Sequence, residues 1–215
     1  LRVAKPSKSC MKYAVSWSVQ VCAESLLIWR QTMVKVSFAS GIYGEFGLNG
    51  GLPWGAPLKG DMEQFKKFTE DCILVMGHKT FESLPTKLRG LRHAVITTDL
   101  FVTTKDGKRA DLWIRPEVTP QEAINSIQSH APSKDLCIIG GAKLIEDFIP
   151  YADEILHTSV YQGIDPFEAR LPFDKEIDLI KIFLFTGFNK YTAPIAHGQE
   201  RCYGFHTRIY TKEQS

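Results

Sequence analysis

The chain reads as one α/β domain: a mostly parallel twisted sheet with flanking helices and antiparallel strands at its C-terminal edge. Three observations predict this. From Met33 onward, short β-rich runs alternate with segments of helical apolar spacing, the pattern that crossover connections leave in a sequence. Residues 72–76 and 136–139 are unbroken apolar runs, suited to strands covered on both faces. The late runs 179–188 and 203–210 have no helix-length segment between them, so they are expected as antiparallel edge strands.

The elements follow in order. Residues 34–40 form the first strand. Over 58–69, Leu58, Met62, Phe65 and Phe68 recur at helical spacing and put one apolar stripe on a helix, with Asp61 beside it. The strand at 72–76 ends at Gly77, and 80–84 follows as a short helix. Strands at 93–97 and 111–114 flank a turn at Lys105-Asp106-Gly107-Lys108. Thr119-Pro120-Gln121-Glu122 is a capping box with proline at the first helical position, so a helix runs from there to about His130. The strand at 136–139 ends at Gly140-Gly141, and a helix at 142–149 and a strand at 154–160 complete the alternation.

Composition excludes several classes. With 215 residues, 44% hydrophobic and 23% charged, the chain has the balance of a soluble globular domain, with length for one core. A formal net charge of +2 leaves no basic footprint for nucleic acid, and no stretch approaches the roughly 18 apolar residues of a membrane span. The five cysteines are widely spaced without a C-x-x-C pair, which suggests neither a disulfide framework nor a metal site and points to a reducing compartment. Cys72 and Cys137 sit among Ile, Leu and Val and read as buried small apolar residues. Residues 1–32 differ: they hold five basic residues and one acidic, leaving 21 basic against 23 acidic in 33–215. That basic start is a targeting segment, an added extension, or sequence upstream of a start at Met33, and 33–215 is the folded domain.

Three constellations carry chemistry. Gly47-Leu48-Asn49-Gly50-Gly51-Leu52-Pro53-Trp54 follows the first strand; its glycines allow a mobile lid, while Leu-Pro-Trp must pack on core or ligand. Asp61 lies at the border of the apolar stripe near a helix start. It is either a partner of the helix dipole or a carboxylate desolvated by Leu52, Met62 and Phe65, able to hold an amidine-like edge of a heterocycle by two charge-assisted hydrogen bonds. The turns Met76-Gly77-His78-Lys79-Thr80 and Ile139-Gly140-Gly141-Ala142-Lys143 each end a strand and open a helix, and together suit the phosphates of a dinucleotide. Neither G-x-G-x-x-G nor a P-loop is present.

Leu52-Pro53-Trp54, Asp61-Met62-Glu63-Gln64-Phe65, the run from Val75 through Gly77-His78-Lys79-Thr80 to Leu84, Ile138-Ile139-Gly140-Gly141-Ala142 and Ile155-Leu156-His157-Thr158 resemble, in order and spacing, the dihydrofolate reductase family, leaning toward its bacterial and bacteriophage forms. The resemblance implies that fold and NADPH-dependent reduction of 7,8-dihydrofolate to tetrahydrofolate in a cytoplasmic monomer. It implies that Asp61 holds the pterin ring nitrogen and 2-amino group, with Thr158 behind it and Trp54 fixing a water. Met62, Phe65, Leu84 and Leu88, with Leu52, wall the substrate, and Ala39 and Ile139 offer backbone groups to pterin or nicotinamide. Cofactor contacts carry over to Gly77, His78, Lys79 and Thr80, to Gly140, Gly141, Ala142 and Lys143, to Thr97 and Thr98 near the adenosine 2′-phosphate, and to Gly47, Asn49 and Ile145. A cis Gly140-Gly141 peptide is also implied.

The chain departs from the family pattern in places. His78 stands where bacterial forms carry arginine, and Gly90 is followed by Leu91, so the arginine for the substrate's glutamate is Arg92 or Arg89, with Arg92 favoured. Ala142 replaces a frequent glycine, Ile145 a frequent tyrosine, and the spacing from Trp54 to Asp61 is longer than in many members. Two other readings are a pyrimidine reductase of the riboflavin pathway and a catalytically silent structural descendant. Asp61, Trp54 and Thr158 occurring together argue against both.

Overall fold

The computed structural model describes residues 32–42, 44–48, 50–162, 177–179, 190–191, 195–200 and 203–212. Their elements are β1 (Val34–Gly41), β2 (Glu45–Leu48), α1 (Lys59–Phe68), β3 (Ile73–Gly77), α2 (His78–Ser83), β4 (Arg92–Ile96), β5 (Leu112–Ile114), α3 (Pro120–His130), β6 (Leu136–Gly140), α4 (Ala142–Phe148) with a 3-10 turn (Ile149–Tyr151), β7 (Glu154–Gln162), β8 (Ile177–Leu179), β9 (Lys190–Tyr191), β10 (Ala196–Glu200) and β11 (Tyr203–Thr211).

The main sheet runs β10-β11-β7-β1-β6-β3-β4-β5, with β9 also paired to β11. From β7 to β5 the strands are parallel, and β11 turns antiparallel against β7. Alternation along the strands divides the core in two. On one face Val36, Phe38, Val75, Ala94 and Ile138 pack against Ile124 and Ile127 of α3 and Ile145 and Phe148 of α4. On the other, Leu74, Met76, Val95, Cys137 and Leu156 meet Phe65 and Phe68 of α1 and Phe81 of α2. The apolar runs at β3 and β6 are thus covered on both faces, as their composition requires. The capping box on α3 is complete: the Thr119 side chain accepts from the Glu122 amide, and the Glu122 carboxylate accepts from the Thr119 amide at 2.8 Å.

Two expectations need correction. The run at 203–210 is not an edge strand; β11 lies between β7 and β10, and β10 takes the edge. Ala196–Glu200 reads AHGQE, which has no apolar alternation to announce a strand, and pairing with β11 alone makes it one. The segment after β1 is also not wholly a loop. Glu45–Leu48 pairs antiparallel with β8, and Leu48 and Gly51 exchange backbone bonds of 3.0 and 2.9 Å that close a tight turn with Gly50 at φ 72°. Residues 180–188, the first 31 residues with Cys10 and Cys22, and Cys202 lie outside the described residues. Cys72 and Cys137 are both buried, and burial pushes the Cys137 thiol well above its ordinary value. Among the described residues no helix is long and apolar enough to cross a membrane.

Candidate active site

Helix α1 packs over β7, β10 and β11 and carries Asp61 in its first turn. The Thr158 hydroxyl of β7 donates to Asp61 Oδ1 at 2.6 Å. A hydroxyl has one hydrogen, and Thr158 spends it on the carboxylate, so the Thr207 hydroxyl, 2.7 Å from Thr158, is the donor in that second bond. Thr207 lies directly opposite Thr158 in the β11–β7 register, and both are fully buried. A directional chain, Thr207 to Thr158 to Asp61, therefore sets the carboxylate's orientation from inside the sheet.

Close packing brings α1 within reach of that chain. Gly60 lies over the Phe205 ring, and a Cβ there would stand 2.5 Å from Phe205 Cζ. Phe205 forms one buried cluster with Trp54, Leu58 and Val160, against which Ala39 and Leu52 pack. The Leu52-Pro53-Trp54 triplet thus packs on core beside Asp61, and Trp54 is 4% exposed. Met62 and Phe65 are half-buried on α1. Phe65, Leu84, Leu88 and Ile139 pack on the α1-side core while keeping part of their surface open, the condition of apolar residues that border a cleft.

The two strand-to-helix turns meet. Backbone atoms of Gly141 lie within 3.8 Å of where a Gly77 Cβ would stand, and a Cβ on Gly140 would lie 3.2 Å from Thr80 Oγ1 and 3.3 Å from Phe46 Cζ. The Gly140–Gly141 peptide is cis. Bare backbone from two adjacent strand ends beside a threonine hydroxyl suits the phosphate chain of a dinucleotide, so the residues present fit the cofactor implied by the sequence. At the N-terminal end of α2, His78 Nδ1 lies 3.0 Å from Thr97 Oγ1, and Thr97 Oγ1 accepts the Asp99 amide at 2.9 Å. His78 Nε2 faces the Glu82 carboxylate at 3.1 Å. Lys79 and Thr98 are exposed at the same end.

Some expected residues are not brought to this face. Arg92 opens β4 in register with Ile73, whose side chain belongs to the α3 and α4 core, so alternation turns Arg92 away from α1. Ile145 is fully buried in that same core and borders no open surface, because it occupies the inward face of α4. Ala142 packs against the same core. Lys143 pairs with Asp147 at 2.6 Å along the outer face of α4, the ordinary fate of a solvated lysine. Gly47 is buried in β2, and Asn49 lies outside the described residues. His157, next to Thr158, points to the opposite face, where its Nε2 is 2.9 Å from Ser40 Oγ and its ring 4.7 Å from Phe38. Burial first, then the charges of His206 and Arg208, push the His157 pKa down to about 4.

Four contributors escape a reading of the sequence: Thr207, Gly60, Phe46 and Glu82. For Glu82 a local signal exists, since it stands four residues after His78 on a helix. Thr207 and Gly60 depend on the β11 register and on the depth of α1, which no local pattern encodes.

Comparison with known proteins agrees with this geometry. A family model described as Dihydrofolate reductase matches residues 33–175, from β1 through β7 and beyond, and so takes in Asp61, Thr158 and both turns. The chain is 30% identical over 141 residues to the dihydrofolate reductase of Mycobacterium tuberculosis, covering 64% of this chain and 77% of that protein. It is 28% identical over 134 residues to that of Bacillus subtilis, at 62% and 72% coverage. A shorter stretch of 54 residues is 50% identical to dihydrofolate reductase type 8 of Escherichia coli, covering 25% of this chain and 31% of that one. The chain belongs to the dihydrofolate reductase family, NADPH-dependent oxidoreductases that reduce dihydrofolate to tetrahydrofolate.

Proposed function

We propose that Asp61 anchors the pterin of dihydrofolate through its ring nitrogen and 2-amino group, with Thr158 and Thr207 as positioning residues behind it. The observation that carries this is the 2.6 Å bond from Thr158 to a carboxylate standing on a helix beside half-buried apolar surface. A carboxylate has about four acceptor sites, so the Thr158 bond orients Asp61 and still leaves it able to accept from a planar amidine-like edge. Met62, Phe65, Leu84 and Leu88 wall the pterin and aminobenzoyl group, Leu52 and Ala39 close the near side, and Trp54 holds a water beside the ring. Arg89, exposed between Leu88 and Gly90, replaces Arg92 as the cation for the substrate's glutamate.

The chain holds NADPH with Gly77, Thr80, Ile139, Gly140 and Gly141, and places the 2′-phosphate by His78, Thr97, Thr98 and Lys79. The contact of His78 with Thr97 supports that grouping. When bound, the dinucleotide supplies the hydride that C6 of the pterin receives, while N5 takes a proton. The protein's part is electrostatic and geometric: Asp61 favours the protonated pterin, the apolar wall excludes bulk water, and the glycine turns fix the distance between the two rings. The enzyme works as a cytoplasmic monomer.

The test is Asp61→Asn, assayed by loss of NADPH absorbance on adding dihydrofolate. Fold and NADPH binding persist, and turnover falls by about tenfold or more, about 1.4 kcal/mol of barrier. Unchanged turnover would remove Asp61 from the reaction.

A further inference from the structure

We infer that His93 is a positioning residue for the folate substrate: its Nε2 accepts the backbone N–H of Leu88 and so sets where the 84–88 wall of the cleft stands. The inference rests on the reading that Leu84 and Leu88 line the folate site.

The segment 84–91 joins α2 to β4 without regular structure of its own, yet carries two wall residues. Its position depends on tethers to the sheet. The Leu84 carbonyl accepts the Lys105 amide at 3.0 Å, Lys108 donates to Thr86 at 2.7 Å, and Lys87 reaches Asp111 at 2.6 Å. The two lysine contacts lie at the surface, where water competes for both partners. The fourth tether is internal: the Leu88 amide donates to His93 Nε2 at 3.2 Å, and the His93 side chain is fully buried against Phe81, with ring centroids 6.0 Å apart.

The histidine itself has little freedom. Its backbone amide donates to Asp111 Oδ2 at 2.7 Å, and its carbonyl accepts the Asp111 amide at 2.9 Å, so the ring stands on a paired strand of the sheet. An amide can only donate, so Nε2 presents its lone pair, the proton is on Nδ1, and the ring is neutral. The environment favours that form. Burial first, then the Lys87 ammonium, push the pKa below the ordinary histidine value, with the Asp111 carboxylate opposing them. Lys87 from the wall segment and Asp111, just before β5, are the charged groups facing the ring; Arg92 points to the other face of the sheet. The bond thus joins the wall's far end, Leu88, to β4, a strand paired on both sides within the sheet.

The experiment compares His93→Asn with His93→Gln, two polar variants of a buried site. Glutamine can place a carbonyl oxygen near the position of Nε2, whereas asparagine is too short to reach the Leu88 amide. The Asn variant is expected to raise the KM for dihydrofolate by about tenfold with the KM for NADPH within about twofold, and the Gln variant to return the folate KM to within about twofold of the parent. Unchanged folate KM in the Asn variant, parallel shifts for both substrates, or a Gln variant as impaired as Asn would overturn the role. Asp61→Asn is run alongside: if it retains turnover, the folate reading itself fails, and if it loses turnover while the His93 variants behave as parent, only the positioning role fails.

Discussion

Gly60→Ala tests whether the depth of α1 sets the chemistry. The added Cβ would meet Phe205 Cζ at 2.5 Å and Cε2 at 3.0 Å. Ordinary contact needs roughly 3.5 Å or more, so about 1 Å must be found somewhere. The ring has little room to retreat, because it is 2% exposed and a Cβ on Gly198 would already stand 3.0 Å from it on another side. The helix must therefore lift. Alanine gains about 1 kcal/mol over glycine as a helix former, while overpacking costs about 1 to 3 kcal/mol, so the fold loses no more than about 2 kcal/mol. The effect on Asp61 is larger in kind. Lifting the next residue by about 1 Å stretches the 2.6 Å bond to Thr158 past the limit of a hydrogen bond, and misplacement on that scale costs about 100-fold in rate. The expected result is a kcat/KM for dihydrofolate reduced by about 10- to 100-fold, with Tm lowered by only a few degrees. Phe205→Leu in the same chain frees space under the helix and should recover much of the loss. Parent-like kcat/KM in Gly60→Ala, or no recovery in the double variant, would refute the argument.

Two further outcomes follow from the structure. His157 titrates near 6.5 when unfolded and near 4 when folded, so between those values the unfolded chain binds a proton that the native state refuses. Stability therefore falls with acidification, by about 2 kcal/mol from pH 7 to pH 4.5. Urea unfolding midpoints at the two pH values should show that slope, and His157→Gln should flatten it; an equal slope in the variant would assign the acid limb elsewhere. Deleting residues 1–32 should leave turnover intact, since the family match begins at residue 33 and every described site residue lies beyond it. Loss of folded, active enzyme on truncation would make the segment part of the fold.

Much of the fold was legible because its signals are local. The both-faces-buried strands at β3 and β6 show as unbroken apolar runs, the start of α3 as a capping box, and the α1 stripe as helical spacing. The two glycine turns stand out for the same reason, since each ends a strand and opens a helix, whereas Asp61 is marked only by its place beside the apolar stripe of α1. What could not be read is set by pairing. β10 has no pattern of its own, and β2 becomes a strand only when residues far along the chain lie against it. The face on which Arg92 stands was not legible either, because one step along a strand exchanges faces and the strand's start could not be located to one residue from sequence.

The same distinction separates the Asp61 carboxylate from the residues that hold it. Asp61 supplies a carboxylate, but its orientation comes from Thr158 and Thr207, residues 97 and 146 positions away, joined only by the β7–β11 register. A one-residue slip in that register would turn Thr207 to the opposite face and leave Thr158 without a donor. Thr158 could then give its hydrogen to Asp61 but would receive none, and the carboxylate would lose the polarised chain behind it. Packing guards the register: Phe205, two residues before Thr207 on the same face, fits between Gly60 and Gly198, and a slip would put the small Gly204 or the polar His206 in its place. The apolar contact that fixes the helix depth is thus also the contact that fixes which hydroxyl stands behind the carboxylate.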